Sequence, residues 1–128
     1  MNGKISISWL EVTIDCGNVA RVAEFWSQLL GLSMLEPPLP GWARTTSTVP
    51  AGPVVTFQPV AEPKVGKSRV HLDLRTDDLQ TAVGNVRGLG GGYSGEVHVY
   101  DEGTVAVMSD PEGTEFCLVG PAGSPAPI

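Results

Sequence analysis

The sequence predicts an α+β fold made of two copies of a βαβββ unit. Three observations carry this. Residues 11–31 and 71–91 match in pattern without a gap, strict apolar–polar alternation precedes each candidate helix, and three short β-like segments follow each. An internal repeat implies two similar units that must pack together to complete a core.

The elements follow in order. Leu10, Val12 and Ile14 alternate with Trp9, Glu11, Thr13 and Asp15, the period of a strand with one buried face. Asn18 is a suitable N-cap, and Val19, Val22, Ala23, Trp26 and Leu29 then follow the three-and-four spacing of an amphipathic helix over 19–30. Gly31 stands where a glycine would end it. "SML" (33–35), "ARTTSTV" (43–49) and "VVTFQPV" (54–60) complete the first unit, and "AEPKVGK" (61–67) is the linker.

The second unit opens on "RVHLDLRTDD" (69–78), with Val70, Leu72 and Leu74 on one face and Arg69, His71, Asp73 and Arg75 on the other. Asp78 caps a helix over 79–89 carrying Leu79, Ala82, Val83, Val86 and Leu89, and Gly91 is the expected stop. "EVHVY" (96–100), "TVAVMSD" (104–110) and "EFCLV" (115–119) follow, with "DPEGTE" turning the chain before the last. Residues 1–120 are therefore expected to form a single domain, with modules over 7–60 and 68–120. The Pro/Gly-rich tail 121–128 is expected to be disordered, outside the fold.

Bulk properties narrow the function. A chain of 128 residues with 41% hydrophobic content can build one packed core. Its net charge of −6 and lack of a basic stripe argue against nucleic acid or a membrane surface as partner. The N-terminus has no secretory pattern and no window suits a membrane span, so a cytoplasmic location is expected, with Cys16 and Cys117 as free thiols. There is no serine–histidine triad. "GLGGG" (88–92) ends a helix instead of opening one, so it is not a phosphate or dinucleotide loop.

One helix per module covers one face of its sheet, which leaves the polar strand faces open or curled inward. Glu11 and His71 occupy equivalent positions on the opening strands, and Gln58 and Cys117 are read as the matching pair on the closing strands. His98 shares parity with Glu96 and Tyr100 and reads as a rim or surface residue, whereas Trp26 belongs to the core. Trp9, Thr13, Trp42 and Asp73 are candidates to line a binding pocket. A lone histidine is more often structural than a ligand, and a free cysteine is usually just buried.

"VTIDCGNVARVAEFWSQLLGL", "RVHLDLRTDDLQTAV" and "DPEGTEFCLV" resemble the vicinal oxygen chelate superfamily, which includes glyoxalase, bleomycin-resistance, fosfomycin-resistance and extradiol dioxygenase proteins, and within it the bacterial glyoxalase-like branch. The resemblance implies that the two βαβββ modules form a curved, U-shaped mixed sheet around a cavity. It implies metal ligands on the first and last strands of each module, here Glu11, Gln58, His71 and Cys117, and commonly a homodimer. The expected activity is that of a divalent-metal-dependent lyase or isomerase acting on a small molecule, with Glu11 as ligand or base. Cysteine replaces the last, usually glutamate, ligand. That change favours zinc over nickel, manganese or iron. It equally suits the alternative of a metal-free protein that binds a drug or metabolite without catalysis.

Overall fold

The structure is a computed structural model and describes residues 5–47 and 52–128. Strand β1 (Glu11–Cys16) leads into helix α1 (Val19–Leu30), followed by β2 (Met34–Leu35), β3 (Ala43–Thr45) and β4 (Val54–Pro59). The second module repeats this with β5 (Asp73–Arg75), α2 (Leu79–Gly88), β6 (Gly92–Tyr100), β7 (Gly103–Ser109) and β8 (Glu115–Gly120). The sheets run β1-β4-β3-β2 and β5-β8-β7-β6. In each, the opening strand lies parallel to the closing strand and the other pairings are antiparallel. These two open mixed sheets, each with one helix, give the α+β architecture with a curved sheet that the repeat and the resemblance imply.

Each helix starts where its cap dictates. The Asn18 Oδ1 accepts from Arg21 N at 3.1 Å, and Asp78 Oδ1 accepts from Thr81 N at 3.1 Å. Gly31 ends α1 in the left-handed region at φ 66°. The second helix stops differently: its backbone turns left-handed at Gly90, φ 97°, and not at the expected Gly91. Gly91 is instead required by crowding, since a Cβ there would lie 2.6 Å from both Ser109 O and Val86 Cγ1.

The core joins the two modules. Phe25 and Trp26 of α1 pack edge-on at 5.4 Å, and Phe116 of β8 lies 4.7 Å from the Trp26 ring. The "DPEGTE" turn is wired into this contact. Buried Asp110 accepts from Trp26 Nε1 at 3.2 Å, Glu112 N at 2.9 Å and Thr114 N at 3.0 Å. Glu112 in turn accepts from Gly17 N and Asn18 N, both at 2.7 Å, so a turn of the second module holds the two residues that lead into α1 and sets a carboxylate at its N-terminus.

Three boundary expectations are corrected. The opening strands are shorter than the alternation suggests: Leu10 and Val70 precede the ladders and stand 71% and 85% exposed, so alternation there does not bury them. Strand β6 starts at Gly92, four residues before the expected segment, because Gly92 and Tyr93 already pair with Ser109 and Met108 ahead of a bulge. The expected segment 43–49 yields β3 only over its first three residues, and residues 48 and 49 lie outside the described residues. The segment 121–128, whose composition suggests fraying, lies against α2 and β7. Thr104 Oγ1 donates to Ser124 O at 2.7 Å, Tyr93 Oη to Pro127 O at 3.2 Å, and Ile128 N to Gln80 Oε1 at 2.9 Å.

Candidate functional site

In the second sheet, Leu74, Ala106, Met108, Phe116 and Leu118 point into the core beneath α2. The residues between them must therefore face the other way. Register places Asp73 opposite Cys117, and Cys117 opposite Val107. His71, two residues before Asp73, shares that face, and its Nδ1 lies 3.0 Å from Asp73 Oδ1. The donor atoms of His71, Asp73 and Cys117 all fall within 4.8 Å of one another. Burial is the main cause that raises the Cys117 thiol above its ordinary pKa, reinforced by the Asp73 and Glu96 carboxylates and opposed by Lys67. The group thus brings a nitrogen, an oxygen and a sulfur close together on one sheet face.

The other expected donors lie elsewhere. Glu11 sits on β1 in a closed set with Arg44 and Thr56: Arg44 Nη2 donates to Glu11 Oε2 at 3.1 Å, Thr56 Oγ1 donates to the same oxygen at 2.9 Å, and Arg44 Nε donates to Thr56 Oγ1 at 3.0 Å. Gln58 is half-buried on β4 opposite Asp15. The ladders also revise the repeat. Thr13 pairs with Thr56 as Asp73 pairs with Cys117, so the register counterpart of Cys117 is Thr56 and not Gln58. By the same registers Arg44 corresponds to Val107. Sequence reasoning missed Arg44 and Thr56, and the one signal for the former was a single charge within the otherwise uncharged "ARTTSTV".

Of the pocket candidates, Thr13 lines a cavity of about 460 Å³ at the seam between β1 and the 60–72 segment, together with the expected ligand His71 and with Asp15, Trp26, Glu62 and Glu115. Asp73 belongs to the donor cluster instead. Trp9 precedes β1 and is exposed, and Trp42 lines a hollow against Val19 and Ala23 of α1 with Met34. Lys64 Nζ pairs with Glu115 at 2.9 Å at the seam, the main cause that holds that carboxyl down to about 2.

The family model of the glyoxalase-like domain matches residues 11–119. No curated protein matches the chain. Solved structures share its fold at low identity. A glyoxalase/bleomycin resistance protein/dioxygenase from Nocardioides superposes with a TM-score of 0.71 at 15% identity, covering 98% of this chain and 91% of its own. A variant of the fosfomycin resistance protein FosX from Listeria monocytogenes, complexed with Mn(II) and a dihydroxypropylphosphonic acid, superposes with a TM-score of 0.71 at 13% identity over 89% and 90% of the two chains. A glyoxalase/bleomycin resistance protein/dioxygenase family enzyme from Burkholderia phytofirmans gives 0.68 at 16% identity, with 86% and 95% covered.

Proposed function

The chain belongs to the glyoxalase-like domain family of the vicinal oxygen chelate superfamily, and from that membership we propose that it binds a small molecule over its open sheet faces with one divalent metal on His71, Asp73 and Cys117. The observation that carries this reading is the convergence of three unlike donors on one face. The set fits zinc, which accepts nitrogen, oxygen and sulfur ligands and keeps an open position when the protein supplies three. It suits manganese less, because a thiolate is a soft ligand, so the Mn(II) of FosX is not carried over. A bound divalent ion supplies Lewis acidity to substrate oxygens, the chemistry of a lyase or isomerase.

The chain's own residues do the rest. His71 Nδ1 and Asp73 Oδ1, which lie 3.0 Å apart, both serve as ligands when a divalent ion takes the place of the proton between them. Glu11 acts as a base once substrate replaces its Arg44 contact, and Thr13 and Gln58 offer polar contacts on the same face of the first sheet.

The test is zinc titration of protein purified without added metal, followed by elemental analysis. One equivalent is expected on the native chain, with loss of retention in His71→Ala and Cys117→Ser and little change in the melting temperature of the metal-free forms. A native chain that takes up no zinc, nickel or manganese sinks the metal. It leaves the second reading, a metal-free drug- or metabolite-binding protein. The same proposal includes a homodimer, supported by the exposed apolar side chains of Ile5, Ile7, Trp9, Leu10 and Val70 beside the free edges of β1 and β5.

A further inference from the structure

The open face of the second sheet continues past the metal donors, and the register shows what lies there. Across the strands, Arg75 pairs with Val119, Val119 with Val105, and Val105 with His98. The row spans three strand spacings, about 14 Å between backbones. Its middle is apolar, with Val105, Val107 and Val119 forming a floor on the same face. A hollow of about 380 Å³ opens over Val105 and Val119, bounded by Asp73 and Arg75 on one side and by Tyr100, Asp101 and Glu102 on the other, with Val107 and His98 beside it by register on the same face.

Beside the hollow stands an aromatic pair. The His98 and Tyr100 rings stack at 6.3 Å with 25° between planes. His98 Nε2 lies 2.7 Å from Glu96 Oε2. An ionised carboxylate only accepts hydrogen bonds, so in the neutral ring Nε2 carries the proton and Nδ1 is left as an acceptor. Among the described residues no hydrogen bond to that Nδ1 is present.

We propose that Val105, Val107 and Val119 with the Glu96–His98 pair form a specificity subsite for a flat, largely apolar molecule carrying one N–H or O–H donor, which His98 Nδ1 accepts. The valine floor and the stacked rings select a planar apolar body. The fixed tautomer selects a donor over an acceptor at its end. This rests on the reading of the open faces as the ligand-binding surface, but it does not require the metal.

Indole is a suitable probe, with benzofuran as a control of nearly the same shape that has no proton to give. Both are titrated by NMR into metal-free protein in mildly alkaline buffer. Shifts are expected at Val105, Val107, Val119 and His98. Indole should bind about fivefold tighter than benzofuran, the factor of one ordinary hydrogen bond. His98→Phe, which keeps a ring on Tyr100, should erase that preference while benzofuran binds as before, and Glu96→Ala should weaken the preference by freeing the tautomer. Because the probes are titrated into metal-free protein and zinc uptake is measured separately, failure of the metal site and failure of this subsite are told apart. An unchanged preference in His98→Phe, shifts confined to another surface, or a proton found on Nδ1 by long-range ¹⁵N correlation would each overturn the assignment.

Discussion

Asp110 commits both carboxylate oxygens to the fold, one to the Trp26 indole and the other to two amides of its own turn. Removing it strands three donors at a buried position, each costing about 1–3 kcal/mol if left unmade. Asp110→Ala is therefore expected to lower stability by roughly 3 kcal/mol after partial relaxation, measured by urea denaturation. Cys16 is fully buried, and that burial, with smaller contributions from Glu112, Asp110 and Asp15, raises its thiol from 9.0 to about 12. A folded-state pKa above the unfolded one means that the stability it contributes is complete below pH 9 and is lost as pH rises toward 12. Native protein should thus lose more melting temperature across that window than Cys16→Ala does, whatever their starting values. Equal slopes would remove Cys16 from the account. Neither effect was legible in the sequence, because both depend on burial and on carboxylates brought from the other module.

At the scale of elements, the helix starts were readable and the stops only half so. Asn18 and Asp78 were identified as caps from residue type and the apolar spacing that follows, and both side chains accept from the third residue of their helices. Asn18→Ala should cost about 1 kcal/mol. Thermal unfolding checks this, and a value near zero would mean that the Arg21 amide is satisfied by solvent without the Asn18 side chain. Gly91 was readable as a necessary glycine but for a different reason than its real one, since the constraint is the approach of Ser109 and Val86 and not a left-handed turn. Gly91→Ala should destabilise by about 2 kcal/mol through overpacking, whereas Gly90, with open space at its Cβ, is strained only by its φ. The strand faces were legible within the ladders and misleading just outside them: Leu74 packs on the core as alternation requires, yet Val70 on the same parity has no ladder to hold it.

For the whole molecule, the second module's turn and Phe116 close on α1 of the first, so the two units share one core and should unfold together. Among the apolar side chains that core leaves uncovered are the run Ile5, Ile7, Trp9 and Leu10, and Val70. In the proposed homodimer these side chains lie at the seam between copies. Sedimentation over a wide concentration range should show dimer, and Ile7→Asp with Val70→Asp should shift it to monomer without loss of helix signal. Monomer mass for the native chain at every concentration would end the dimer and any site shared between copies.

The sequence by itself determined the repeat, the order of elements, the caps and which strand face is polar, because periodicity and capping are local and act within a few residues. It also marked His71 on the opening strand and Cys117 on the closing strand of the second module as donors. The tertiary structure decided how those strands align, and with it the site. Residue 117 stands opposite Asp73, so Asp73 joins the donor cluster, while Glu11 is tied to Arg44 and Thr56. The physical reason is the two-residue period of a strand, which tells a residue its face but not its neighbour across the ladder. That neighbour is set by pairings between residues 44 positions apart, through turns and bulges whose lengths the alternating pattern does not encode.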